Sequence, residues 1–214
     1  MSDRAHINTY FENVKRIADT LMREQSEQID AMIRVLFRAW NDNSLVFILG
    51  NGGSASTASH FAADLSKTIA DQPGWRGIRA LTPWDNIPLI SAIVNDRLKA
   101  DYFTAWLDTY YRGCGVGIGI SVHGGSGSDV GGQWSQNLLA GLQYIKKHGG
   151  ITIGFSGFDG GPMKEFVDHC VVVPANSTPL VESFHVVLCH LIAFRLKELI
   201  AETVEAIYKT QGKQ

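Results

Sequence analysis

The sequence predicts an α/β fold: a single domain with a five-stranded parallel sheet, helices on both faces, and an N-terminal helical arm. Three observations predict it. Short apolar runs, among them Leu45–Leu49, Val116–Ile120 and Ile151–Phe155, alternate with segments of helical periodicity. Two of the runs end in Gly/Ser-rich turns, Gly50-Asn51-Gly52-Gly53-Ser54 and Ser121-Val122-His123-Gly124-Gly125-Ser126-Gly127-Ser128. Long amphipathic segments stand at both ends of the chain. The expected product is a three-layer sandwich of the flavodoxin-like or Rossmann-like kind, with residues 1–43 as the arm and 44–214 as the core.

The arm comes first. Phe11, Val14, Ile17, Leu21, Met22, Ile29, Met32, Ile33, Leu36, Phe37 and Trp40 recur at helical spacing, so 7–41 reads as one or two helices ending near Asn41-Asp42-Asn43. Such an arm packs either on its own domain or on another subunit. Leu45-Val46-Phe47-Ile48-Leu49 is a strand buried on both faces. Its glycine turn leads into a helix that Ser54 can cap. Asp71-Gln72-Pro73-Gly74 is a turn, and Arg76–Leu81 a second strand. Thr82 and Pro83 open a short helix. Ile87–Val94 is apolar and ends at Asn95-Asp96, and Asp101–Arg112 is helical. Val116–Ser121 is the third strand. A helix from about Gly132 to Lys147 ends at His148-Gly149-Gly150. Ile151–Ser156 and His169–Pro174 are strands four and five, with a short helix after Gly160-Gly161-Pro162 between them. A last helix runs from Thr178-Pro179 to about Lys209.

Composition sets limits. The chain has 214 residues, is 45% hydrophobic and 19% charged, and carries a formal charge of −2, so no basic field points to nucleic acid. No apolar stretch approaches the roughly 20 residues of a membrane span. Cys114, Cys170 and Cys189 show no C-x-x-C spacing, and a polar start without an apolar centre agrees with a cytoplasmic protein holding free thiols.

A strand, a glycine turn and a helix N-terminus make an anion site. Gly53 is followed by Ser54-Ala55 and not Lys-Ser/Thr, which excludes a P-loop; alanine at the last glycine position excludes a dinucleotide turn. Two neutral loops converging on one anion suit a sugar phosphate. His60 and Asp64 share a helix face one turn beyond the first loop. On the last helix, residues 185 and 190 are rotated about −60° and +80° from Glu182, so either histidine can share the glutamate's side. Two ligands from each helix would make a His₂-carboxylate₂ site suited to zinc or another first-row metal.

The GNGGS turn followed by His60, the Asn95-Asp96 pair, the Ser-rich loop at 121–126 and the helix VESFHVVLCH together resemble the sugar isomerase (SIS) domain, over roughly residues 8–200. The similarity is to its phosphoheptose isomerase branch. That resemblance implies aldose–ketose isomerisation of a phosphorylated sugar, sedoheptulose 7-phosphate first, through an enediol. It implies that Asn51, Gly52, Gly53 and Ser54 line the pocket, that Ser121, Val122, His123 and Ser126 belong to the phosphate grip, and that Asn95 and Asp96 hold sugar hydroxyls. His60, Asp64, Glu182 and His190 would be metal ligands, Zn2+ first, with Asp64, Glu182 and His190 as proton carriers. A homotetramer is implied, with the arm in its core.

The sequence departs from the family pattern in four places. The phosphate loop usually reads S-T-S-G-N-S; here it is Ser121–Ser126 followed by extra residues Gly127–Gly132. The family's glutamate base is Asp64, which withdraws the carboxylate by about 1.5 Å. Its glutamine ligand is Glu182, and a basic residue near the phosphate is Thr68, beside Lys67. These departures leave open a rival of another class, a non-catalytic sugar-phosphate-binding regulator or replication-initiator-binding protein.

Overall fold

Alternate residues of the first strand face opposite cores, and that alternation builds the layers. A computed structural model describes residues 2–70, 72, 75–97, 102–129 and 132–211. In β1 (Leu45–Gly50), Val46 and Ile48 join one buried cluster, and Phe47 and Leu49 join the other. The first cluster collects α1 (Asp3–Glu24), α2 (Ser26–Asn41), α3 (Gly53–Ser66) and α8 (Thr178–Gln211). The second collects α5 (Tyr102–Tyr110), α6 (Gln136–Lys147) and Met163 of α7 (Gly161–Phe166). Between them lies an all-parallel sheet in the order β2-β1-β3-β6-β7. Its other members are β2 (Arg79–Leu81), β3 (Val116–Ile120), β6 (Ile151–Gly157) and β7 (His169–Val173). The predicted three-layer α/β architecture is therefore the observed one.

β3 shows how composition sets approach distance. Val116, Ile118 and Ile120 fill the first core, while Gly117 and Gly119 face α6. A Cβ on Gly117 would lie 2.6 Å from Ile145 Cδ1, so the bare strand lets the helix sit down on the sheet.

Several boundaries differ from expectation. The arm is two helices, broken at Gln25; the first begins at Asp3, with the Ala5 amide donating to Ser2 Oγ. The second strand is only three residues long, because 75–78 is tied to the end of α3: the Ile78 amide donates to the Leu65 carbonyl and Ser66 Oγ to the Ile78 carbonyl. The short helix opened by Thr82 and Pro83 is one 3₁₀ turn, Pro83–Asp85, with Thr82 at its N-cap but making no side-chain cap bond; the next helix, α4 (Ile87–Asp96), is capped by Asn86. The predicted turn at Asp71-Gln72-Pro73-Gly74, apart from Gln72, and the expected helix start at Asp101 lie outside the described residues. α6 starts at Gln136 and not at 132, because Ser128–Asp129 (β4) and Gly132–Gln133 (β5) pair as a small antiparallel ladder.

Candidate active site

Ligand sites in open parallel sheets lie at the carboxyl ends of the strands, and the Gly/Ser turns meet there. Gly52 takes φ 55°, a left-handed conformation that favours glycine, and it, not Ser54, is the N-cap of α3. Ser54 lies inside the first turn and lines a pocket of about 240 Å³. Asn51, Ser121, Val122, His123, Trp134 and Ser135 line it too. The remaining wall is Ile120, Thr178 and Glu182. Three helix starts reach this pocket: α3 at Gly53, α6 after Ser135 and α8 at Thr178. α3 and α6 have no side-chain cap; the Ser54 and Ala55 amides turn back to the Asn51 and Gly52 carbonyls at 3.0 Å, so the helix ends offer an anion their dipoles and the pocket its hydroxyls.

Ser126 is not part of this wall. Its hydroxyl donates 2.7 Å to the His123 carbonyl inside the loop. The extra residues carry the chain outward through the β4–β5 ladder, and it returns at Ser135, whose Oγ is 3.2 Å from Ser121 Oγ. Ser135 is the serine that completes the loop in space. Its sequence signal was its place just ahead of the Leu138, Leu139, Leu142 periodicity. The excursion folds back on itself: the Trp134 amide donates 3.1 Å to the Gly127 carbonyl. The His123 ring lies between Trp134 and Phe158, with centroids 4.4 and 4.3 Å away. Burial holds the His123 pKa below its ordinary value, against a smaller upward pull from Asp159.

Asn51 is held by residues that periodicity does not single out. Its carboxamide pairs reciprocally with that of Asn137, at 3.0 and 3.1 Å, and Tyr102 Oη donates to its Oδ1. Burial pushes the Tyr102 phenol up to about 12, so it stays a donor. Trp84 Nε1 donates 2.6 Å to the Gly50 carbonyl and closes the base of the turn.

The second centre lies further along α3. His60, Asp64 and His190 bring one donor atom each to within 4.8 Å of one another. The two Nε2 atoms are 3.3 Å apart, and Asp64 Oδ2 is 3.6 Å from His60 Nε2 and 3.7 Å from that of His190. Asp64 Oδ1 accepts from Thr68 Oγ1 at 2.8 Å, while buried Oδ2 has no hydrogen-bond partner. Zinc bonds of 2.0–2.2 Å in a tetrahedron place ligand atoms about 3.3–3.6 Å apart. The spacing and the orphaned oxygen therefore fit a first-row divalent ion.

Three of the four expected ligands thus come together, and Glu182 does not. A Cβ on Gly53 would lie 2.6 Å from Glu182 Oε1, so that carboxylate sits over the start of α3. From Glu182 to His190 is eight helical residues, about 12 Å. α3 and α8 pack side by side, with Gly53–Glu182 and His60–His190 as two rungs of one seam. His185 points the other way. It is fully buried, its Nε2 lies 3.2 Å from the Ser156 carbonyl, and burial lowers its pKa to about 4. Asn95 and Asp96 are exposed at the end of α4, bonded to each other at 2.8 Å and absent from the pocket wall.

Residues 9–82 match the SIS domain family. The lincomycin biosynthesis protein LmbN of Streptomyces lincolnensis is 36% identical over 168 residues, 77% of this chain; the chain spans only 60% of that protein's length. A phosphoheptose isomerase of Clostridium acetobutylicum is 30% identical over 181 residues, covering 84% of this chain and 86% of the relative. The structure of phosphoheptose isomerase GmhA from Neisseria gonorrhoeae superposes with a TM-score of 0.80 over 92% of this chain and all of that one, at 20% identity, a likeness of fold.

Proposed function

The chain belongs to the SIS family, among the phosphoheptose isomerases, and on that premise we propose that it interconverts the ketose and aldose forms of a phosphorylated sugar, sedoheptulose 7-phosphate and D-glycero-D-manno-heptose 7-phosphate first. The observation that carries this reading is the seam between the two centres. A pocket suited to an anion lies at the Glu182 end and a carboxylate with two imidazoles at the His190 end, eight residues of α8 apart, a rise of about 12 Å from Cα to Cα. Eight bonds separate phosphorus from C1 in an extended heptose 7-phosphate, about 10 Å at roughly 1.2 Å per bond. An extended seven-carbon chain is comparable in length with that rise.

The mechanism follows from the placement. Ser54, Ser121, Ser135 and Thr178 take the phosphate beside the N-terminal ends of α3, α6 and α8. Asn51, locked by Asn137 and Tyr102, and Glu182 take sugar hydroxyls along the seam. At the far end Asp64 takes the proton from the carbon beside the carbonyl, and His190 moves the proton between the two oxygens through an enediol. Such general acid–base transfers are worth about 10² to 10⁴ in rate. A divalent ion such as zinc, held by His60, Asp64 and His190, would supply polarisation of the carbonyl.

The assembly reading is a homotetramer. Ile7, Phe11 and Met22 of α1 and Val187, Leu191 and Phe194 of α8 are exposed apolar residues, more than a monomer's surface normally gathers on two neighbouring helices. Cys114, Cys170 and Cys189 form no disulfide, in keeping with a reducing cytoplasm. No helix among the described residues is long and apolar enough to cross a membrane.

The test is proton NMR of the protein with sedoheptulose 7-phosphate and with five- and six-carbon ketose phosphates in D₂O. Enediol chemistry exchanges one carbon-bound proton, fastest for the heptulose, and Asp64→Asn stops it. No exchange with any sugar, while the phosphosugars still raise the melting temperature, would instead assign a sugar-phosphate-binding regulator.

A further inference from the structure

We infer that His123 is the cation of the phosphate pocket: it takes up a proton from solvent as the dianion enters, and so sets the pH range over which the site holds an anionic substrate. This rests on the reading of the pocket as a phosphate site. Among the described residues, the wall contains no lysine or arginine. Asn51, Ser54, Ser121, Ser135 and Thr178 offer only neutral donors, and Glu182 is a carboxylate placed over the start of α3. A phosphomonoester brings a further −1.5 to −2 charges near neutral pH. Among the described lining residues, His123 is the side chain able to become positive.

The surroundings favour that role. Among the described residues, the charged group acting on the ring is Asp159, from the turn after β6, which is acidic and favours a cation; Glu182 of α8 lines the same pocket. Trp134 and Phe158 present uncharged rings on either side, and aromatic faces stabilise a cation. In the empty pocket burial keeps the imidazole neutral at neutral pH. An anion within a few ångströms reverses the balance. The sign follows: affinity is highest in acid, falls as pH rises from the free to the bound pKa, and is flat beyond both.

Sulfate is the probe, because it remains a dianion throughout and any pH dependence belongs to the protein. Calorimetric titration of the whole chain between pH 5.5 and 8.5 should show sulfate binding weaken several-fold from pH 6 to pH 8, towards the limit of about tenfold that a one-unit rise in pKa allows. Proton uptake should appear as a dependence of the heat on buffer ionisation. His123→Phe keeps a ring in the sandwich and should bind weakly with no slope; His123→Ser, which restores the family residue type, should do the same if the phenylalanine variant misfolds. Glu182→Gln should keep the slope. A slope retained in both His123 variants, or lost in Glu182→Gln, overturns the inference. Equal, pH-independent binding by wild type and variant also overturns it but leaves the phosphate pocket standing. Absence of sulfate binding at every pH, in wild type and variants alike, removes both.

Discussion

Glu182 Oε1 lies so close over Gly53 that a methyl group on the glycine would come within 2.6 Å of it. The contact joins residues far apart in sequence, at the first turn of α3 and the first turns of α8. Glycine at 53 is thus a requirement of the glutamate as much as of the turn.

Gly53→Ala should separate folding from function. Alanine favours a helix, and the displaced atom is the end of a flexible side chain, so the melting temperature should stay within a few degrees. Turnover should fall by about 10²-fold, the cost of a misplacement near 1 Å. Parallel thermal melts and isomerase assays check this; an unchanged turnover would deny Glu182 a role.

Thr68 orients Asp64 through a 2.8 Å hydrogen bond to Oδ1. Thr68→Val should weaken binding of added zinc by about 10- to 100-fold, the usual effect of losing a partner behind a ligand. His60→Ala and His190→Ala should weaken it more, while Glu182→Gln, two turns away, should leave it nearly unchanged. Competition with a chromophoric chelator reads all four.

His185 predicts an acid instability. Its folded pKa, about 4, is depressed below the unfolded value near 6.5. The unfolded state therefore binds more protons in this window, and stability is fully present above 6.5 and lost as pH falls from there towards 4. The loss should reach about 3 kcal/mol. Urea unfolding at pH 7.5 and 4.5 should show this decrement in wild type and a decrement smaller by that amount in His185→Leu.

The exposed stripe Val187, Leu191 and Phe194 lies on α8 at spacings of four and three residues, beside His190. Leu191→Arg or Phe11→Glu should shift sedimentation from a tetramer to smaller species. A wild type that sediments as a monomer would remove the homotetramer reading.

The layers were legible because periodicity reports burial. Val46 and Ile48 against Phe47 and Leu49 dictate a strand with a core on each side, whatever surrounds it. The helix start at Thr178-Pro179 was legible from its own residues, whereas α3 begins one residue before the Ser54 cap the sequence offered, with Gly52 as N-cap. Within the site, His60 and Asp64 could be paired from sequence because four residues of one helix fix their geometry.

Contacts across the chain were not legible. Helical angles left His185 and His190 equally placed relative to Glu182; only the packing of α8 sends one into the core against Ser156 and the other to His60. Counting along the Ser-rich loop gave Ser126, whereas the serine that lines the pocket beside Ser121 is Ser135, where the chain re-enters after the β4–β5 ladder. Glu182 has the residue type of a metal ligand, but it lines the pocket with Ser121 and Ser135 and is not one of the His60–Asp64–His190 group. The sequence by itself determined the layers, the turns and the helix-local pair, because these depend on neighbours within a few residues. Only the tertiary structure decided which distant side chains meet, because that depends on how two helices pack and where a loop re-enters, and no local spacing encodes either.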